Sequence, residues 1–234
     1  IGVQLGCNGV VYILFEPIQN NDANNPVNLL KRVASDRKDT VLATVFNTDK
    51  HAAQTGTCLF LNDEEYLVLT DAMLHAGASN VLRDKRSMVQ SLGELSVLYQ
   101  FVPPVLQLLI VGAGNDAMPL VDMAFLLGWK TTVADGRPAY ATQRRFPKAQ
   151  KVCTVKPEGL LSEISIDQRT AVVLMTHNYN YDLAALEQLI NTHCRYIGVL
   201  GPKKKLHKMF DALAEQGVAI SDEVLKTIYG PVGL

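Results

Sequence analysis

The stretch Leu108-Leu-Ile-Val-Gly-Ala-Gly-Asn-Asp-Ala-Met-Pro119 decides the fold. An apolar segment, Val105 to Val111, runs into Gly112-Ala113-Gly114, and Ala117 stands three residues further on. An apolar helical pattern, Leu120 to Leu127, follows, and a second apolar strand pattern ends at Asp135. This is the order in which a βαβ unit presents a helix N-terminus to a phosphate. Gly112 permits the tight turn and Gly114 lets a phosphate approach the backbone. Ala117 takes the place of a third glycine, where a small residue lets helix and strand pack closely. The N–H groups and the positive end of the helix dipole attract an anion.

Downstream of Val105 the chain alternates strictly. Strand patterns at Val105–Val111, Lys130–Ala134, Lys151–Val155, Ala171–Met175 and Tyr196–Leu200 are short and apolar, as buried parallel strands require. Helical patterns near 116–127, 138–146, 157–164, 181–191 and 203–216 separate and follow them, and right-handed crossovers then give a doubly wound parallel sheet. Upstream, strand patterns at Val10–Phe15, Thr40–Phe46, Thr57–Leu61 and Tyr66–Thr70 include a hairpin around Asn62–Glu65. Asn25-Pro26 reads as a helix start, with Leu29, Leu30, Val33 and Ala34 on one apolar face. The sequence thus predicts an α/β protein. A smaller β-rich α+β domain with one helix spans 1–102, Pro103-Pro104 forms a stiff linker, and a Rossmann-like domain spans 105–234.

With 234 residues, 48% of them hydrophobic, the chain has ample material for a core. A formal charge of −1 gives no electrostatic reason to expect nucleic acid or a membrane as partner. No apolar stretch reaches the ~18–20 residues of a membrane span, and no signal peptide is visible. Cys7, Cys58, Cys153 and Cys194 lack CxxC or Cys/His metal spacing and read as reduced thiols of a cytoplasmic protein. The chain begins at Ile1 inside an apolar run and stops at Gly233-Leu234 without a terminal element, so it reads as a piece of a longer polypeptide. GxSxG, HExxH and Walker lysine motifs are absent, and nothing marks a hydrolase or a kinase.

Ligands of open parallel sheets bind beyond the carboxyl ends of the strands, and four loops end there: 112–116, 135–138, 176–181 and 201–205. Gly112, Gly114, Asn115 and Ala117 form the first. Asp135 reads either as an acceptor for ribose hydroxyls or as a turn residue before Gly136 and Pro138, and Arg137 as a partner for a 2′-phosphate. Thr176 and His177 open a polar, aromatic run in which His177 is either an acid, base or ligand or a structural loop residue, and Asp182 reads as a helix cap. Gly201 and Lys203 to Lys205 place three cations at a helix N-terminus, against the dipole, where phosphate binding would explain them and solvated surface lysine is the plainer account. Cys7 lies in Leu5-Gly6-Cys7-Asn8-Gly9 and reads either as a small buried residue or as a thiol in a glycine turn, accessible to soft metals or to reaction. The other cysteines read as core, and His51, His75, His193 and His207 as loop or surface residues.

Taken in order, these segments resemble the XdhC/CoxI family, the accessory factors for xanthine dehydrogenase and related molybdenum hydroxylases. The resemblance rests on Leu5–Val10 with Glu16-Pro17, Ala43-Thr44-Val45, Leu109–Ala117, Asp135–Pro138 with Arg145-Phe146-Pro147, Thr176-His177 with Asp182, Gly198 to Gly201, and Tyr229–Leu234. It implies a β-rich domain followed by a Rossmann domain in a homodimer. It also implies an accessory protein, rather than a turnover enzyme, that binds the molybdenum cofactor and protects it. A cysteine desulfurase installs the terminal sulfur, and the factor delivers the product to the apo-molybdenum hydroxylase. Cys7 is then the candidate contact for molybdenum or sulfur, and the Rossmann rim holds the phosphate or nucleotide end. An NAD(P)-dependent oxidoreductase with His177 as its acid or base, or a nucleotide-sensing module, is the alternative. Three departures stand out: the family's glycine-rich upstream segment with its own cysteine does not precede Ile1, its C-terminal segment does not follow Leu234, and Gly136 replaces a more usual proline.

Overall fold

The computed structural model describes residues 11, 13–49, 51–68 and 74–233. The chain divides after Pro104 into two compact units, Ile1–Pro104 and Val105–Leu234.

In the first unit the strands β1 (Thr40–Phe46), β2 (Gly56–Leu61), β3 (Tyr66–Val68), β4 (Met88–Leu92) and β5 (Leu95–Val102) form one antiparallel sheet in the order β3-β2-β1-β5-β4. Helix α1 (Pro26–Ser35) starts as expected. Asn25 caps it by accepting from Asn28 N–H at 3.0 Å, and Leu29 and Val33 pack with Leu42 and Phe60. The sequence reading expected one helix here, but a second, α2 (Leu74–Asp84), covers the opposite face through Leu74, Ala78 and Val81. Gly77 lies on that face because Tyr99 needs the room, and a Cβ there would stand 2.5 Å from the Tyr99 ring. The β4–β5 hairpin, closed by Gly93-Glu94, was also not anticipated. Of the expected strand Val10–Phe15, residues 11 and 13–15 carry no strand, and Val10 and Tyr12 lie outside the described residues.

The second unit has the expected parallel sheet. Its strands are β6 (Gln107–Val111), β7 (Lys130–Asp135), β8 (Lys151–Thr154), β9 (Thr170–Leu174), β10 (Tyr196–Val199) and β11 (Ile228–Tyr229), in the order β11-β10-β9-β6-β7-β8. From β6 the chain builds outward through β7 and β8, then returns to the other side of β6 and builds β9, β10 and β11. The order therefore reverses between β6 and β9. The last strand corrects the expectation of a tail without an element: Ile228 pairs with Ile197, and Tyr229 stacks on Tyr196 at 4.9 Å between ring centres.

Alternate residues of β6 face opposite ways, and both sets are buried. Leu109 and Val111 pack with α4 (Leu160–Glu163), α5 (Tyr179–Leu189) and α6 (Lys203–Glu215), whereas Leu108 and Ile110 pack with α3 (Ala117–Leu126). A short 3-10 turn, Pro157–Gly159, precedes α4, and α7 (Asp222–Leu225) leads to β11. The helix expected near 138–146 is absent. Turns run from Pro138 to Pro147, and Phe146 and Ala149 enter the α3-side core from this irregular segment. Among the described residues no helix is long and apolar enough to cross a membrane.

Asp182 does not cap α5. Asn178 does, accepting from Tyr181 N–H at 3.2 Å, while Asp182 lies one turn inside and is fully buried. Its Oδ1 accepts from the Thr176 hydroxyl at 2.6 Å and its Oδ2 from Lys205 Nζ at 2.6 Å. Lys205 Nζ also donates to Leu200 O at 2.9 Å. One carboxylate therefore ties together the end of β9, the start of α5, the end of β10 and the start of α6. Removing one partner of a buried ion pair leaves the other charge unsatisfied. Asp182→Ala is expected to lower stability by about 3 kcal/mol, and Asp182→Ala with Lys205→Met to recover part of it. Trp129, the one tryptophan of the chain, reports urea unfolding of this unit; an Asp182→Ala midpoint equal to that of the parent protein contradicts the assignment.

Candidate functional site

The crevice at a strand-order reversal is where open α/β sheets bind ligands, and here it lies between the ends of β6 and β9. Gly112, the first residue after β6, has φ +123°, and a Cβ on it would sit 2.4 Å from the Met175 carbonyl oxygen. Only glycine lets the two strand ends pass this closely. Ala117 is fully buried at the start of α3, as the close helix–strand packing requires. The first helical N–H groups are turned inward: Ala117 N–H reaches Gly114 O and Met118 N–H reaches Asn115 O, each at 3.3 Å.

Asp135 ends β7 and is 3% exposed. Its Oδ2 accepts from Ala113 N–H and from Arg137 Nη2, both at 2.7 Å, and its Oδ1 from Arg137 N–H and Nε, both at 2.9 Å. Burial alone would raise the Asp135 carboxyl. The Arg137 side chain, the two backbone N–H groups and the guanidinium charge outweigh it and hold the group below the usual carboxylate range. Each oxygen already has two donors, so a ribose hydroxyl reaches Asp135 only by displacing one of them. Arg137 lies over the Tyr140 ring at 4.1 Å, and Arg145 approaches the same ring at 4.9 Å. Arg145 also donates to Ala113 O and to Asn115 Oδ1, each at 2.7 Å. Gly112–Asn115, Asp135, Arg137 and Arg145 thus form one connected network.

A second network starts at β9. Thr176 is held by Asp182, and His177 follows with φ +59°, a left-handed conformation uncommon outside glycine. His177 Nε2 lies 2.7 Å from Asp116 Oδ2, on the far wall of the crevice. At the end of β10, Gly201 has φ +128° and lies against the Lys205 side chain. His177, Tyr179, Leu200, Gly201 and Lys205 line an open hollow there. Lys203 and Lys204 are exposed, and of the three lysines Lys205 is the one bound inward.

Cys7 lies outside the described residues. Among the described residues no group of three or more His, Cys, Asp or Glu converges to hold a metal ion. Burial pushes the Cys153 and Cys194 thiols up, away from the reactive thiolate; Cys194 lies in the core as expected, whereas Cys153 is half-buried at its edge. In the first unit, Glu16 accepts from Thr57 N–H at 2.6 Å and from the Thr57 hydroxyl at 2.9 Å, so it fastens the start of β2. The sequence offers Lys205 as one of three candidate cations but not its buried partner, and it does not single out Asp116 or Arg145 as members of the site. The partners of Asp116, Arg145 and Lys205 lie 61, 30 and 23 residues away, beyond any local pattern, although a basic residue beside Tyr140 and Phe146 was a visible signal for Arg145.

Residues 108–234 match the family model for the XdhC Rossmann domain. A stretch of 114 residues, 49% of the chain, is 35% identical to a probable xanthine dehydrogenase subunit of Bacillus subtilis (strain 168), of which it covers 34%. Another of 127 residues, 54% of the chain, is 28% identical to the uncharacterized protein YqeB of Escherichia coli (strain K12), of which it covers 23%. The chain thus spans about a third or less of the curated relatives it matches. A crystal structure described as a xanthine dehydrogenase from Bacillus halodurans superposes with a TM-score of 0.51 at 20% identity, covering 89% of this chain and 87% of that one, and shares the fold. The family match takes in more than half of the residues, and the chain belongs to the XdhC Rossmann domain family.

Proposed function

We propose that this chain is part of an accessory factor for a xanthine dehydrogenase-type molybdenum hydroxylase, and that its cargo is the molybdenum cofactor. In this reading the factor works in the cytoplasm as a homodimer. It shields the cofactor while a cysteine desulfurase supplies the terminal sulfur, then passes it to the apo-hydroxylase. The observation that carries the reading is the family match over residues 108–234, and the likeness to the Bacillus subtilis protein supports it.

The Rossmann rim offers the cargo a crevice between β6 and β9 with Arg137, Arg145 and His177 around it. Its phosphate or nucleotide end enters there, near Gly112, Gly114, Asn115, Thr176, Gly201 and Lys203, and Cys7 meets the molybdenum or its sulfur. A nicotinamide dinucleotide is the second reading, and the Gly112–Ala117 turn favours it. The saturated Asp135 carboxylate weighs against it, because a ribose diol finds no free acceptor there.

Protein isolated from cells that make molybdenum cofactor is expected to carry molybdenum and to release a fluorescent pterin on oxidation. Absence of both, with micromolar NAD(P) binding, overturns the cargo reading in favour of the dinucleotide. Cys7→Ser is expected to lower the retained molybdenum several-fold. Unchanged retention removes Cys7 from the site.

The rim is also expected to loosen in acid. Asp135 has a folded-state pKa below its unfolded value, so its contribution to stability is complete above about pH 5 and is lost as pH falls through the lowered value. The stability difference between the parent protein and Asp135→Asn, read by Trp129 fluorescence in urea, should be constant between about pH 5 and 8 and shrink below about pH 4. A difference independent of pH contradicts this role for the charge.

A further inference from the structure

Helix α3 is apolar on the side that faces water as well as on the side that faces the sheet. Ala117, Val121 and Ala124 form its buried stripe. A helix with one side in solvent carries polar residues there. Here Met123 is 61% exposed, Phe125 54%, Leu126 80% and Leu127, which closes the helix, 66%. From Ala117 to Leu127 the one charged residue is Asp122. Its Oδ1 lies 3.2 Å from Lys148 Nζ, which also stands 5.7 Å from the centre of the Phe125 ring. The other side of the parallel sheet is covered by α4, α5 and α6, whereas α3 shares its side with the irregular segment that supplies Phe146. The four exposed side chains present about 500 Å² to solvent, toward the upper end for the largest apolar patch of an ordinary monomer.

We propose that the outer face of α3 is the contact between two copies of this chain, paired about a two-fold axis. The proposal rests on the homodimer of the function proposed above and deepens it by naming the surface. Two observations select a second copy as the occupant. The first is charge. In a two-fold contact a patch meets itself, so any net charge on it meets its own sign. The outer face of α3 carries its one carboxylate, Asp122, already paired with Lys148, and therefore faces a copy of itself without repulsion. A surface for a charged partner carries an excess of one sign instead, as the exposed Lys203 and Lys204 of α6 do. The second observation is area. A stable interface takes roughly 800 Å² from each partner, and the four side chains supply about 500 Å² of it as the apolar centre that such contacts have. Asp122 and Lys148 then fall at the polar rim.

Leu126→Glu puts a charge at the most exposed of these positions, where the single chain does not need the side chain to fold. Sedimentation equilibrium of the 234-residue protein is expected to show two chains per particle at micromolar concentration, and Leu126→Glu to weaken the association roughly a hundredfold. Met123→Glu, one turn earlier, should act in the same way. Leu30→Glu, at a 55% exposed position of α1, is the control and should leave the association where it was. Trp129 fluorescence in urea, below the association range, should give both α3 variants the midpoint of the parent, which separates loss of pairing from loss of fold. A lowered midpoint in both contradicts the exposed placement on which the proposal stands. A parent dimer that persists in both variants gives the pairing to another surface and the α3 face to another occupant, and so overturns the proposal while the homodimer stands. Equal weakening by Leu30→Glu overturns it too. A parent protein that stays a single chain up to its solubility limit overturns the homodimer and the proposal together. Molybdenum and pterin retention is a separate measurement, so the cargo reading stands or falls on its own test.

Discussion

The rim of the parallel sheet depends on how closely the ends of β6 and β9 approach, and Gly112 sets that distance. With the Met175 carbonyl 2.4 Å from where a Cβ would stand, there is no room for any other residue. Gly112 N–H donates to Ala134 O at 2.7 Å, which also joins the turn to β7. The next residue, Ala113, gives its N–H to Asp135 and its carbonyl to Arg145. Three strand ends are thus referred to one two-residue stretch. A change there would move both walls of the crevice together.

Around that constraint the charges are arranged in closed sets. Asp135 is matched by Arg137 and two backbone N–H groups and Asp182 by Lys205 and Thr176, while Asp116 makes a hydrogen bond with the His177 ring. The sets differ in depth. Asp182 is fully buried and Asp135 nearly so, while Asp116 is 40% exposed. Burial makes an ion pair hard to break because the orphaned charge has no water to turn to. The deep pairs hold the architecture, and the shallow contact faces water.

The parallel sheet was legible because its strands are continuous apolar runs between turn residues, a pattern that depends on local sequence alone. The Gly112–Ala117 turn was legible for the same reason, and so was the Asn25-Pro26 helix start. The helix expected near 138–146 was a false reading of mixed polar and apolar residues. There Tyr140 serves as a platform for two guanidiniums, and Phe146 reaches the core from a turn. Helix α2 escaped notice because its buried face is Leu74, Gly77, Ala78 and Val81, two of them too small to mark an apolar stripe. Asp182 was misread as a cap because the residue that answers its charge is 23 positions away. Local pattern finds elements; it does not find the partners that bury a carboxylate.

The four donors on Asp135 carry a further consequence for reversibility. Where every acceptor already has its donor, an incoming ligand trades existing hydrogen bonds for new ones rather than adding to their number. The enthalpy of such a trade is nearly level, so the depth of binding is left to shape and to the water released. At Asp135 a ligand would gain affinity only where its own groups replace the lost partners as well as the chain does.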